Sequence, residues 1–191
     1  MKLVILDRDG TVGSLMAGPQ APSTAWEPLP GALAAIAQLS HAGWHVVLVS
    51  SESGLGGGIY EMARLNDLQA RIHKLLAAEG GRIDAMFFCP HGVDEACRCR
   101  KPAPGLLEQI GERYGVELAL VPLVGDSLDD MLCAVGAGCT PHLVLTGDAA
   151  QFRGQPLPAS FPAGVVVHDD LAAFVRCLLA ADAAAGATSP G

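Results

Sequence analysis

An α/β fold, with a parallel sheet covered by helices on both faces, is what this sequence predicts. Three observations lead there. Short apolar runs alternate with longer helical patterns along the whole chain. Half of the 191 residues are hydrophobic, mostly Ala, Leu and Val, enough for the core of one ordinary domain. Polar and charged residues collect directly after each apolar run, where ligands bind in open sheets of this kind.

The elements follow in order. Leu3 to Leu6 reads as a buried strand, and Gly31 to His41 as a helix whose apolar face is Leu33, Ile36, Ala37 and Leu39. His45 to Val49 is a second strand. Tyr60 to Glu79 is a long helix closed by Gly80 and Gly81. Ile83 to Phe88 is a third strand, followed by a helix from Pro104 to Tyr114 that ends at Gly115. Leu120 to Val124, a helix from Leu128 to Val135, and His142 to Leu145 continue the alternation, with Val165 to Val167 as a candidate sixth strand. A last helix runs from Leu171 to about Ala181. The expected domain spans residues 1–182, and 183–191 read as a disordered tail.

Composition excludes several classes of function. A net charge of −8 disfavours nucleic acid or an anionic membrane as partner, since both require a basic surface. The apolar run before Asp7 is too short for a signal peptide, and no stretch approaches the roughly 20 apolar residues of a membrane span. The expectation is a cytoplasmic monomer. Three of the six cysteines are bunched near one histidine, which in a cytosolic chain suggests metal more than disulfides.

The strand ends carry the chemistry. Asp7-Arg8-Asp9-Gly10-Thr11 follows the first strand. A carboxylate there can act as a nucleophile through an acyl phosphate. Asp9 could protonate the leaving oxygen and later activate water. Two carboxylates this close repel each other, so a divalent cation is expected, and hard oxygen ligands favour magnesium. The plain alternative is a turn with solvated aspartates. Asp126 follows the fourth strand and supplies a third carboxylate for the metal. Asp129 and Asp130 come next, where acidic residues also suit a helix N-terminus. Lys101 offers a compact positive charge to phosphate and to Asp7, and Arg100 a planar fork. Ser50 offers a hydroxyl and a backbone N–H, or simply ends a strand.

The order DxDGT, strand-end Ser, Lys-Pro and GDxxxD resembles the haloacid dehalogenase-like (HAD) superfamily over most of the chain. The resemblance implies a Rossmann-like fold with strand order 5-4-1-2-3. It implies Asp7 as nucleophile and Asp9 as acid/base. It also implies Ser50 and Lys101 as phosphate binders, and magnesium on Asp7, Asp126 and the Asp9 carbonyl. The interval from Asp9 to Ser50, about 40 residues, leaves no room for a separate cap domain.

Cys89-Pro90-His91 and Cys97-Arg98-Cys99 form two close ligand pairs. Three thiolates and one imidazole match a closed, structural zinc site. A disulfide or free thiols are the alternatives. Cys99 directly precedes Arg100-Lys101, so the metal would fix the loop presenting both cations. CPHGVDEACRCRKP, with DRDGT and GDSLDDM, is similar to the D-glycero-D-manno-heptose 1,7-bisphosphate 7-phosphatase family. That implies a cytoplasmic enzyme of lipopolysaccharide inner-core synthesis acting on a small sugar phosphate. Histidinol-phosphate phosphatases share these motifs and give the alternative substrate. A catalytically weak HAD-like binding module is the alternative of a different class.

The chain departs from the family after the second strand. Ser50-Ser51-Glu52-Ser53-Gly54 stands where the family commonly reads Thr-Asn-Gln-Ser-Gly, and Leu55 to Gly58 stands where it has an Arg. Gly13 stands where Asn is common. Ser51, Glu52 and Ser53 are therefore the substrate-binding positions that these departures touch.

Overall fold

The structure, a computed structural model, describes residues 1–15, 25–51, 59–92 and 94–187. Its centre is a six-stranded parallel sheet of β1 (Leu3–Asp7), β4 (His45–Ser51), β5 (Ala85–Cys89), β6 (Pro122–Gly125), β7 (Thr140–Val144) and β8 (Val166–His168). The order across the sheet is β5-β4-β1-β6-β7-β8. Counting sheet strands alone, this contains the expected 5-4-1-2-3, with the sixth strand added beside the fifth. The chain first builds outward on one side of β1 and then returns to the other. The switch point lies between β1 and β6, and the crevice there is where such sheets bind ligands.

Strand periodicity divides the core in two. Val4, Leu6, Val46 and Leu48 point to one face, which packs against α1 (Ala32–His41), α2 (Ile59–Ala78) and α5 (Leu171–Ala187). Leu3, Ile5, Val47 and Val49 point to the other, under α3 (Gly105–Tyr114) and α4 (Leu128–Ala137). Helix α2 buries Leu65, Leu68, Ile72 and Leu76, a stripe at helical spacing. Ser127 caps α4 through a reciprocal pair with Asp130: Asp130 N–H donates to Ser127 Oγ, and the Asp130 carboxylate accepts from Ser127 N–H. A smaller cluster of Met131, Leu143, Leu145 and Ala149 lies under the stretch after β7.

Several boundaries differ from the sequence reading, with β4 running on to Ser51 and α4 to Ala137, and four others have a local cause. The third sheet strand begins at Ala85, because Asp84 is spent on β4: its N–H donates to the Val46 carbonyl and its carboxylate accepts from Val46 N–H. Cys89 thereby becomes the last residue of β5. Leu118–Leu120 forms a 3-10 turn, so β6 starts at Pro122. β7 begins at Thr140, ahead of Pro141, which interrupts the apolar run by which the strand was recognised. Helix α5 continues to Ala187 instead of ending near Ala181, carried by alanines that favour helix. An antiparallel hairpin of β2 (Gly13–Leu15) and β3 (Trp26–Pro28) was not foreseen; its three-residue strands are too short for an alternating signal. Among the described residues, no helix is long and apolar enough to cross a membrane.

Candidate active site

β1 and β6 end side by side and set the site. Asp7 is the last residue of β1, and Asp126 directly follows β6. Both are buried, at 6% and 5% exposure, as is Asp130 at 2% in the first turn of α4. The oxygens of Asp7, Asp126 and Asp130 lie within 4.8 Å of one another. Lys101 enters from the loop after β5. Its Nζ donates to Asp7 Oδ1 and, at 2.6 Å, to Asp130 Oδ1.

The electrostatics follow from this packing. Burial, reinforced by repulsion from Asp130 and Asp126, holds the Asp7 carboxyl well above the usual carboxylate range. Burial pushes Asp126 up to about 7 against the help of the Asp148 N–H. Burial opposes the charge of Lys101, but Asp7 and Asp130 overcome it and hold its pKa above the ordinary lysine value. Three buried carboxylates thus face one ammonium, and a divalent cation would balance the set. The donors are oxygens only, which fits magnesium and not a soft metal.

Gly10 makes the close approach possible. At φ 84° it sits in the left-handed region, and a Cβ there would fall 2.1 Å from Asp126 Oδ2. Asp9, next to it, is exposed and held by its neighbour: Arg8 donates to Asp9 Oδ2 from Nε at 3.1 Å and from Nη2 at 2.5 Å. Sequence reading left Arg8 without a role, because a buried ion-pairing arginine cannot be told from a surface one without the fold.

A cleft of about 580 Å³ opens above these groups, lined also by Ser14, Ser51, Arg100, Asp129 and Asp148. Of the two strand-end serines expected here, Ser51 lines the cleft. Period-two alternation puts consecutive strand residues on opposite faces, and Ser51 continues the face of Val47 and Val49 shared with Asp7. Ser50 is buried behind it. Glu52 and Ser53 lie outside the described residues. Asp148 is the contribution missed from sequence, where no motif marks it. Asp130, the last residue of GDxxxD, was legible as an acidic position, but a helix-terminus role read equally well.

Beside the cleft, Cys89, His91, Cys97 and Cys99 bring their ligand atoms within 4.8 Å of one another. Cys89 Sγ lies 3.6 Å from His91 Nδ1 and 3.7 Å from Cys97 Sγ; Cys99 Sγ lies 3.2 Å from Cys89 Sγ. A tetrahedron with metal–sulfur bonds of about 2.3 Å has edges of about 3.8 Å, so the cluster is at or just inside zinc dimensions. Burial raises the Cys97 thiol, but N–H groups of Arg100 and Cys99 aimed at its sulfur outweigh that and lower it. Burial and the neighbouring thiols push Cys99 up to about 12, the strain a metal would relieve. Arg100 Nη2 donates to the His91 carbonyl, tying the cluster to the cleft.

The HAD-hydrolase-like family matches residues 98–173, the stretch that carries Lys101, Asp126 and Asp130. The D-glycero-beta-D-manno-heptose-1,7-bisphosphate 7-phosphatase of Bordetella bronchiseptica is 47% identical over 94% of this chain and 98% of its own. The chain belongs to this phosphatase family. It is therefore a phosphoric monoester hydrolase with a Rossmann-like HAD fold. A second family member, from Pseudomonas aeruginosa, is 43% identical over 93% of this chain and 97% of its own. Two solved structures of the family superimpose on it. The B. bronchiseptica D,D-heptose 1,7-bisphosphate phosphatase, crystallised with magnesium and phosphate, gives a TM-score of 0.86 over 95% of this chain and 99% of that one, at 47% identity. The Burkholderia thailandensis D,D-heptose 1,7-bisphosphate phosphatase gives 0.71 over 94% and 99%, at 40% identity.

Proposed function

We propose that this member of the family removes the 7-phosphate of D-glycero-D-manno-heptose 1,7-bisphosphate in a magnesium-dependent reaction through an aspartyl phosphate. One observation carries the reading: Asp7 lies buried at the switch point of the sheet, against Lys101, at the floor of an open cleft.

Asp7 attacks phosphorus, and the bond from phosphorus to the sugar oxygen breaks. The leaving oxygen takes its proton from Asp9, which Arg8 orients through two donors. Asp9, now a carboxylate, takes a proton from the water that attacks the aspartyl phosphate. Inorganic phosphate leaves and Asp7 is restored. Lys101 neutralises charge on the transferred phosphoryl group while holding Asp7 in place, and Asp130 holds Lys101. Ser51, which lines the cleft at the end of β4, offers its hydroxyl, Ser50 behind it a backbone N–H, and Arg100 its guanidinium; Glu52 and Ser53 would border the substrate. Magnesium on Asp7, Asp126 and the Asp9 carbonyl would draw charge from the phosphoryl oxygens. Zinc on Cys89, His91, Cys97 and Cys99 would hold the loop that delivers Arg100 and Lys101.

The rest of the reading is a single domain, drawn at residues 1–182 from sequence and carried by α5 to Ala187, acting as a cytoplasmic monomer on a small sugar phosphate. The net charge of −8 supports the exclusion of nucleic acid and anionic membrane as partners. Phosphate release from the heptose bisphosphate, histidinol phosphate and simple phosphomonoesters, with and without magnesium, tests it. The bisphosphate should show the highest kcat/KM, and a chelator should abolish turnover. A preference for histidinol phosphate would replace the substrate. No turnover of any ester would leave a binding module in place of an enzyme.

A further inference from the structure

The stretch that follows β7 belongs to none of the sequence motifs, yet it touches both halves of the candidate magnesium site. Thr146 Oγ1 donates to the Gly10 carbonyl at 2.6 Å. Two residues on, Asp148 N–H donates to Asp126 Oδ2 at 2.7 Å. Gly147 between them has φ 47°, and a Cβ on it would fall 1.9 Å from Asp126 Oδ2 and 2.7 Å from Gly10 Cα. No other residue type could pass so close to both.

The stretch is anchored at both ends. Leu145 N–H donates to the His168 carbonyl at 2.9 Å, and Arg153 Nη2 closes the far end onto the Leu145 and Asp169 carbonyls at 2.8 and 3.1 Å. Ala149, 1% exposed, seats the 3-10 turn in the small apolar cluster with Leu143 and Leu145. A rigid piece of chain therefore grips the Asp9-Gly10 turn through one hydrogen bond and the Asp126 carboxylate through another.

We propose that Thr146-Gly147-Asp148 is a strap that sets the separation of the Asp9-Gly10 backbone from the Asp126 carboxylate, with Thr146 as a positioning residue for magnesium affinity. The proposal rests on the magnesium reading above. Magnesium demands near-ideal octahedral geometry at about 2.0–2.1 Å, so small displacements of either ligand weaken binding. Calcium accepts 2.3–2.6 Å and irregular geometry, and should be much less sensitive to loss of the strap.

The test compares the natural protein with Thr146→Val and Thr146→Ser. Magnesium and calcium dissociation constants are measured by calorimetry, and melting temperatures with and without each ion. Valine keeps the shape and removes the donor. Its magnesium constant should weaken about tenfold, the scale of losing one part-buried hydrogen bond, with calcium changed by less than about threefold. Serine restores the donor and should restore the affinity. At saturating magnesium, the KM of the valine protein for the phosphate ester should stay near the natural value. Natural magnesium affinity in the valine protein overturns the strap. So does a loss confined to the metal-free melting temperature, which would mark a purely structural bond. Should valine fail to fold, Thr146→Ala is read by the same comparison. A natural protein that binds no magnesium would instead overturn the magnesium reading itself.

Discussion

Lys101 is one ammonium between two carboxylates, Asp7 and Asp130. Asp130 serves it with one oxygen and the α4 cap with the other: Oδ1 accepts from Lys101, while Oδ2 accepts from Ser127 N–H at 3.1 Å and Ser127 Oγ at 2.6 Å. A residue that looks like a helix cap thus also holds Lys101 in place. Asp130→Asn keeps the shape and removes the charge. It is expected to cut kcat/KM by about 10- to 100-fold, equivalent to the ~1.5–3 kcal/mol of a hydrogen bond to a charged group. Asp7→Asn should be far more severe, at about 10³-fold or more, because an amide cannot attack phosphorus. Steady-state kinetics on both purified variants, with circular dichroism to confirm the fold, decide the matter. An Asp7→Asn protein with substantial turnover would end the nucleophile assignment. These roles were only partly legible in sequence. The DxDGT run exposes Asp7 and Asp9 by their spacing. The second duty of Asp130 depends on a lysine 29 residues away reaching it.

Two elements carry their own tests. The loop from Cys89 to Cys99 joins the end of β5 to the Arg100-Lys101 pair, and the Gly105 N–H bond to the Arg98 carbonyl at 2.8 Å ties it to α3. Protein purified without added metal should contain about one zinc per chain. Cys97→Ser should lose it, melt several degrees lower and bind phosphate more weakly. Full activity in a zinc-free preparation would remove the ordering role. The other element is the far edge of the sheet, where His142 on β7 and His168 on β8 stack and approach to 3.0 Å between Nδ1 and Nε2, both against Phe174 of α5. Burial, with repulsion from His168, lowers His142 to about 4; burial lowers His168 too, against the pull of Asp169. The unfolded chain therefore binds more protons than the folded one between about pH 6.5 and 4. The contribution of this pair is complete above about pH 6.5 and is lost as pH falls toward 4. Urea unfolding at stepped pH should show a shallower acid slope for His142→Phe than for the natural protein. Superimposable slopes would contradict it. The histidines formed no visible set in the sequence because only the β7–β8 register, which pairs His142 with Val166 and Val144 with His168, makes them diagonal neighbours.

Charge balance is a property of the whole molecule. The chain carries −8, and among the described residues the cleft is lined by six carboxylates, Asp7, Asp9, Asp126, Asp129, Asp130 and Asp148, against Arg100 and Lys101. Lys101 is already committed to Asp7 and Asp130. Residues 16–24 and 52–58 contain neither Lys nor Arg, and Glu52 is their single charge. On the proposed reading, a second phosphate would find little positive charge to hold it, so the preference for a bisphosphate over a monophosphate should be modest. Charges about 4 Å apart interact by ~4 kcal/mol at an effective dielectric of 20, and a fraction of that changes affinity tenfold. Glu52→Gln combined with Gly57→Arg is expected to raise kcat/KM for the bisphosphate about tenfold relative to a monophosphate. If the ratio does not move, the rim does not set specificity.

The sequence by itself determined the alternation of strands and helices, the DxDGT, Lys-Pro and GDxxxD runs at strand ends, and the cysteine-histidine pairs. These are legible because each rests on local periodicity, or on residues close enough in the chain to share one turn. Tertiary structure alone decided four things: that Ser51 faces the cleft while Ser50 is buried behind it, that Arg8 grips Asp9, that Asp130 holds Lys101, and that Thr146 and Asp148 clamp the turn to Asp126. The last two depend on which elements become neighbours across the sheet, and the first two on the direction in which a side chain leaves its strand or turn. Residues 115 and 136 positions apart meet over Asp126 and Gly10 because parallel strands gather their carboxyl ends at one edge. That gathering follows from burying both faces of the sheet, an energy summed over the whole core, which no short stretch of the chain can reveal.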